Sequence, residues 1–509
     1  MAGLTDLLPG RILSLQEAAM LTRRHTLKLF GAAAVAPCAA RAPPDYRVDT
    51  WTGDSFAPMH AIRDGRWSQP LPAPEGRVDV AIVGGGLAGL AAATLLHDRD
   101  ILLLEREAGP GGVAKSARWR DVEYALGSAY FIDISEPFGP FYEMLGLAPQ
   151  LAPEPENRVI AAGSADALSG PLRAPLEKLR AFVAKLMASA DFPRMPIEAA
   201  SPTALALDRL TLGRLLLQEG MDPALFPFLD AYSRSAMGAP ADEVSAYVGI
   251  NFLSEFTGRI YAFPGGNAAL AKAMANRITG AGSGRILTGA SVFAVEPSDG
   301  GDARVAWFDT QNMGEPRCVA AKWVVLAAPY FFAARLLRGI DPAAKAAMTG
   351  MRRGSFLVAN CCFEGEFSPG AYDCWAPEAE SFTDAVDAGA ALGERRPKDH
   401  GVLTAYAPFH DPHLGRAQLL SGDGAALAAP IVSELRRVLP EAFAKARLAE
   451  VRLTRWGHHH LIPAPGIIET MRKLPKRLGN VLLAHSDGQG MPAVESAIIE
   501  AHRAAAAIG

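Results

Sequence analysis

The stretch 78–105, VDVAIVGGGLAGLAAATLLHDRDILLLE, changes character three times, and that succession decides the fold. Val78 to Val83 form a continuous apolar run, as in a strand buried on both faces. Gly84-Gly85-Gly86 stops the run. Leu87 to Asp98 then has helix-forming composition, and Ile101 to Glu105 is a second apolar strand ending in an acid. Strand, loop, helix and strand make a β-α-β unit, with Gly84, Gly86 and Gly89 at G-x-G-x-x-G spacing. Glycines permit a tight turn and close approach of the backbone to a pyrophosphate. The start of the following helix, around Leu87 and Ala88, stabilises its charge. Glu105 stands where an acid accepts hydrogen bonds from ribose hydroxyls.

The unit alone does not separate a nicotinamide from a flavin dinucleotide; the residues after it do. Arg106 follows the acid, and a second glycine pair, Gly111-Gly112, comes next, with Lys115 as the nearest cation. DVEYALGSAYF (121–131) reads as another strand with a small-residue loop. This arrangement resembles flavoproteins of the amine oxidase and phytoene desaturase type, in which the second glycine pair packs along the diphosphate of FAD. The resemblance runs through most of the chain from about residue 78. IYAFPGGNAALAKAM (260–274) is similar to the segment where the chain re-enters the FAD domain, and SVFAVEP (291–297) to the strand that meets the adenine, placing Val292 there. KWVVLAAP (322–329) resembles the strand that closes that domain, and LLAHSDGQGMPAVESAIIEAHRAA (482–505) the terminal flavin-binding segment.

The fold implied is α/β: a Rossmann-like FAD-binding domain in three segments (76–135, 255–335 and 470–509). With it goes an α+β substrate domain (136–254 and 336–469) carrying a helical insertion. The terminal segment is expected to run Asp487 and Gly488–Gly490 beside the ribityl chain. Met491, Pro492 and Ala493 fall at the pyrimidine edge of the ring, although Pro492 has no N–H to offer. A helix starting near Pro492 would stabilise negative charge there by roughly 0.3–2 kcal/mol. Glu500, farther along that helix, is expected to take no part in holding FAD.

Departures from the family pattern point to the chemistry. Val113 replaces the usual Arg after the glycine pair. In Gly354-Ser355-Phe356-Leu357-Val358, Val358 stands where monoamine-type oxidases carry a Lys. Ala484-His485-Ser486-Asp487 replaces Ala-Gly-Asp, closer to the spermidine dehydrogenase branch. Trp456 and His458, in the segment Trp456-Gly457-His458-His459-His460, are candidates to line the substrate cavity, with Tyr130 and Tyr261 as aromatic walls. His485 is a candidate base facing the flavin, with a hydrogen-bonding or packing role as the alternative. No metal is expected at the three histidines, because neighbours on a strand point to opposite faces. Glu255, Asp242 and Glu243 are the acids placed to hold a distal cation of a polyamine.

The function implied is an FAD-dependent oxidoreductase that oxidises a small-molecule amine, a polyamine among them, by hydride transfer to flavin N5. A desaturase or isomerase of an apolar substrate is the alternative, favoured by the missing Lys and disfavoured by the lack of a long apolar entry helix; a binding protein that keeps FAD without turnover is a third reading. The motifs leave oxygen, a quinone or a protein equal as electron acceptor. With a net charge of −4 and no long basic run, nucleic-acid binding has no electrostatic footprint.

The N-terminus differs in kind. TRRHTLKLF (22–30) precedes the small-residue stretch GAAAVAPCAA (31–40), and the pair resembles a twin-arginine export signal, with Thr26 where Phe is usual. Residues 1–40 are therefore expected to engage the twin-arginine export machinery and deliver a periplasmic protein. Pro37 disfavours lipidation of Cys38. Residues 41–75, rich in Pro, read as an extended arm. The remaining cysteines, Cys318, Cys361, Cys362 and Cys374, form no CxxC, and no run reaches the ~18 apolar residues of a membrane span.

Overall fold

A computed structural model describes residues 45–49, 51–67, 70–161, 166–189, 192, 195–282 and 284–509. The export-signal segment and Cys38 lie outside them. In chain order the elements that build the site begin with strands β1 (Arg47–Val48) and β2 (Thr52–Gly53), helix α1 (Phe56–Arg63) and β3 (Arg77–Val83). Helix α2 (Leu87–Leu95), β4 (Ile101–Leu104), β5 (Asn157–Val159), α3 (Phe226–Met237) and α4 (Ala268–Gly280) follow. Then come β6 (Gly284–Leu287), β7 (Ala290–Glu296), β8 (Ala303–Asp309), β9 (Arg317–Leu326) and α5 (Tyr330–Leu336). The chain continues through β10 (Phe356–Gly365), β11 (Asp373–Trp375), β12 (Asp384–Asp387), β13 (His400–Pro408) and α6 (Pro412–Ser421). It closes with β14 (Ala446–Trp456), β15 (Val481–Leu483) and α7 (Val494–Ile508).

Two sheets organise these elements. In the first, β6, β4, β3 and β9 run parallel in that order, β15 lies parallel to the second half of β9, and β8 and β7 continue antiparallel from its first half. The continuous apolar reading of β3 has a direct cause: Val80 and Ile82 pack into the helix layer of α2, α4 and α7, while Ala81 and Val83 face the opposite core. Small side chains (Ala91, Ala92, Ala497, Ala501) let α2 and α7 lie close together in that layer. The carboxyl ends of β3, β4 and β9 meet at one edge, where open α/β sheets bind their ligands. There a Cβ on Gly84 (φ +103°) would lie 2.7 Å from Ala327 O, and one on Gly89 would lie 2.0 Å from Gly84 O.

The second sheet is mostly antiparallel, in the order β14, β10, β13, β12, β11. β5 adds parallel to β11, and β1 and β2 add parallel to β14. Helices between residues 138 and 253, α3 among them, form the insertion, and bury Phe228, Leu229 and Tyr232 in the shared core. The arm is less extended than its Pro content suggests. Phe56, Met59 and Ile62 recur at helical spacing, and the run 56–63 closes into α1, with the Arg455 guanidinium 4.2 Å from the Phe56 ring centre.

Gly89→Ala is expected to cost about 2–3 kcal/mol through forced overpacking of the loop under α2. Gly300→Ala, in open exposed backbone, should stay within about 0.5 kcal/mol. Denaturant midpoints of the two variants check this.

Candidate active site

A cavity of about 400 Å³ runs from the carboxyl edge of the first sheet to the face of the second. Its nucleotide end is built by two glycine loops that touch: Gly111 N donates to Gly85 O (2.7 Å), and a Cβ on Gly112 would stand 3.1 Å from the Gly86 Cα. Gly84, Gly86, Leu87, Ala88, Gly111 and Gly112 all line the cavity. The first turn of α2 has no side-chain cap, so its N–H groups are available to a phosphate. Glu105 lines the same end and is oriented by Gly85 N (2.6 Å) and Glu107 N (2.8 Å). Arg106 and Val292 complete the wall. Uncapped donors, a crowded glycine cradle and an oriented acid fit a dinucleotide. Gly89 does not reach the cavity; its part is to let α2 lie against the loop. Lys115 also stays outside, where its backbone carbonyl accepts from Leu126.

The arm contributes a residue that sequence reading passed over. Asp54, just past β2, lines the cavity, pairs with Arg106 (3.3 Å) and accepts from Gly457 N (3.1 Å). Arg106 also pairs with Glu107 (2.8 Å), which is held by Ser55 N (3.1 Å) and Ser55 Oγ (2.6 Å).

The terminal segment divides in two. His485, Ser486, Pro492 and Ala493 line the cavity, while Asp487 and Met491 do not. Asp487, expected beside the ribityl chain, turns inward instead: its Oδ2 accepts from Arg353 Nη1 (2.7 Å) and Tyr330 N (2.8 Å). Burial would raise this carboxyl, but Arg353 and His485 outweigh it and hold it well below the usual carboxylate range. Met491 is core, and α7 begins at Val494 with Ala493 as its cap residue. His485 lines the cavity, and its Nδ1 lies 3.1 Å from Asp487 N and 3.3 Å from Asp487 Oδ1, so that ring nitrogen is engaged by Asp487 whichever tautomer is present. Glu500 is fully buried and holds Gln489 Nε2 (2.6 Å) and Arg503, so it braces the same loop and is no inert position.

Trp456 and His458 both line the cavity, with Trp456 Nε1 donating to Leu126 O (2.8 Å). Val358 is core behind Trp456. The histidines occupy a turn beyond β14, not the strand expected, and His459 and His460 also line the site, their Nδ1 atoms 2.6 Å apart. Burial pushes His458 and His459 down to about 3, with Arg353 adding to it, so both rings are neutral at pH 7. No metal-holding group occurs among the described residues.

At the far end stands a set of acids of which the sequence showed only Glu255. Asp373 and Trp375 on β11 share a face with Asp384 on β12 and Tyr406 on β13, because Trp375 pairs with Asp384 and Asp384 with Tyr406. Glu255 comes down onto this face; its carboxylate lies 3.1 Å from the Tyr232 hydroxyl and 3.4 Å from that of Tyr130. Burial raises Glu255 to about 8 and Asp384 to about 6, and burial, then Asp384 and Glu255, raises Asp373 well above its ordinary value. Both Asp373 oxygens are buried without a hydrogen-bond partner. Among the described residues none of the three acids pairs with a basic side chain. Asp242 is exposed, Glu243 pairs with Arg352 at the surface, and Tyr261 packs on Phe131 away from the cavity. The signal for the missed acids was present: AYDCWA (371–376) and FTDAVD (382–387) set aspartates inside otherwise apolar strands.

The model of the family described as "Flavin containing amine oxidoreductase" matches residues 87–509. "Oxidoreductase PigB" of Serratia sp. is 25% identical over 281 residues, which cover 52% of this chain and 41% of PigB. The chain thus spans about two fifths of that relative. A putrescine oxidase solved with putrescine superposes with a TM-score of 0.65 at 18% identity, over 85% of this chain and 99% of that one. A CLA-producing fatty acid isomerase from P. acnes superposes with a TM-score of 0.60 at 15% identity, over 85% and 98%.

Removing Arg353 strands a buried carboxylate, and Arg353→Ala should cost about 3–5 kcal/mol. Asp487 has a depressed folded-state pKa, so its stabilisation is present above the unfolded carboxyl pKa near 3.9 and fades as pH falls below it. Asp487→Asn should therefore flatten the loss of stability between about pH 5 and pH 3, read from thermal midpoints across that range.

Proposed function

We propose an amine as the substrate of this chain, which belongs to the Flavin containing amine oxidoreductase family. It is an FAD-dependent oxidoreductase. The fold alone does not choose the substrate, since it is shared with an enzyme acting on putrescine and one acting on a fatty acid. The observation that carries the choice is the acid face: Glu255 and Asp384 line the far end of the cavity, Asp373 stands buried behind them on the same sheet face, and among the described residues no basic side chain pairs with any of the three. Uncompensated carboxyls in low dielectric are costly, and a ligand that brings positive charge removes that cost. An apolar substrate would leave it in place. A diamine or polyamine fits best, with one nitrogen held at the acids and the other left at the reacting end.

When bound, FAD supplies the hydride acceptor. The chain's own part is placement. Trp456, Phe356 and Tyr406 wall the middle of the cavity, and the Tyr406 hydroxyl is fixed by Gly127 O (2.6 Å). His458 and His459, neutral at pH 7, add no positive charge beside the reacting nitrogen, which must be neutral for loss of hydride from the adjacent carbon; rings held that low are not the base that takes its proton. At the acid end Tyr232 can donate to Phe252 O (2.7 Å) while accepting from protonated Glu255, so the site is hydrogen-bonded before a cation enters. We further propose that the protein works in the periplasm after twin-arginine export, on the strength of residues 22–40. Cell fractionation of wild type and an Arg23→Lys/Arg24→Lys variant checks it: the variant should stay in the cytoplasm.

Anaerobic mixing of the FAD-loaded protein with putrescine, spermidine and butylamine tests the substrate reading; bleaching by none of them removes it. Asp384→Asn, at an acid that lines the cavity, should weaken diamine binding by about 2 kcal/mol or more, roughly 30-fold. Binding of a dication needs ionised acids, so diamine affinity should rise from about pH 6 to pH 8 as Asp384 and Glu255 lose their protons. Stability of the ligand-free protein should fall over the same window, because the folded state holds protons that the unfolded chain has released.

A further inference from the structure

Beside the main cavity lies a second one of about 130 Å³, enclosed by α1, α5, α6 and the Gly457-His458 turn. It shares Asp54, Met59, Arg106, Phe332 and His458 with its neighbour. Its electrostatics are the reverse of the acid face. Arg335, from α5, has no carboxylate partner among the described residues and gives its guanidinium to Phe331 O. Arg416, from α6, likewise has none; it reaches Arg353 O (3.2 Å), Gly457 O (3.4 Å) and His413. Arg63 enters from α1, its charge met among the described residues only by the neighbouring Asp64. Asp54, the acid at the wall, is already committed to Arg106 and Gly457 N.

We propose that this vestibule binds a small organic anion, a carboxylate carried on a flat apolar body. The two half-buried guanidiniums supply a fork geometry suited to a carboxylate. Phe56, Phe332 and Leu419 supply the apolar walls, and the volume limits the ligand to roughly the size of a single ring. The positive character reaches the partition: apart from burial, what presses His458 toward its neutral form is Arg416, Arg353, His60 and Arg335. A dinucleotide phosphate is not the intended occupant, because the glycine loops and the start of α2 open into the other cavity. A cationic amine is repelled here. The vestibule thus admits a second ligand, opposite in charge to the proposed substrate. The inference stands independently of the amine reading.

Isothermal titration of the FAD-loaded full chain with benzoate tests it, with inorganic phosphate and benzylamine as comparison probes. Benzoate should bind with one-to-one stoichiometry, phosphate at least tenfold more weakly for want of a ring, and benzylamine should not displace benzoate. Arg335→Gln/Arg416→Gln should weaken benzoate at least thirtyfold with FAD content unchanged. Leu420→Trp, at an exposed lining position, should block it sterically and serves as the decisive variant if the arginine pair proves necessary for folding. No binding to wild type, unchanged affinity in Leu420→Trp, phosphate binding equal to benzoate, or loss of FAD from a folded arginine variant would each overturn the proposal.

Discussion

Arg353 and Asp487 form an ion pair of 2.7 Å with side chains only 2% and 1% exposed, and the rest of the site is arranged around it. Arg353 stands just before β10 in the second sheet; Asp487 stands just after β15 in the first. The pair therefore pins the two sheets together where they enclose the cavity. Each partner does more. Arg353 reaches His459 O (3.2 Å) and His458 O (3.4 Å), fixing the histidine turn, and Asp487 accepts from Tyr330 N at the start of α5. A buried pair of this kind is poor evidence for net stability, since desolvation consumes most of the attraction. What it gives is a single geometry: moving either sheet would strand a charge.

Around that pin the cavity is polarised. Basic groups gather at the histidine turn and the vestibule, with Arg353, Arg416 and Arg335 all acting on His458. Acids gather at the opposite end, on the faces of β11 and β12 and on Glu255. Among the described residues no ion pair joins the two groups, and Trp456, Phe356 and Tyr406 line the same cavity. In low dielectric such a separation stores a field that orients a charged guest and costs little to keep once the guest arrives. A dication would enter with one end fixed and the other end free to react. An anion would find its place only behind the partition.

The sequence disclosed the first sheet well because its signals are local. Strand, glycine loop, helix and acid follow one another within 78–105, and β3 reads as buried because both its faces are covered. The acid face was hidden for the converse reason. Asp373 and Asp384 share a face only through the register of two neighbouring strands, and Glu255 reaches them from a distant part of the chain, which no spacing rule reveals. Asp487 misled in a different way. Its position in a family-like motif suggested contact with the cofactor, yet an acid can equally meet a buried arginine, and Arg353 carried no motif of its own. Lys115 shows the same limit: being the nearest cation in sequence did not bring it to the cavity wall.

The arm sharpens the point about what closes the site. Asp54 binds Arg106, which follows Glu105, and Gly457 N, in the turn that carries His458. One carboxylate from outside the family-matched span 87–509 thus ties the nucleotide wall to the substrate wall. Burial raises its pKa and Arg106 acts against that, so its charge depends on the arginine staying in place. The same short segment supplies α1, which roofs the vestibule with Phe56 and Arg63. Residues that read as a Pro-rich tether therefore complete both cavities, and the chemistry of the two is coupled through a single arm.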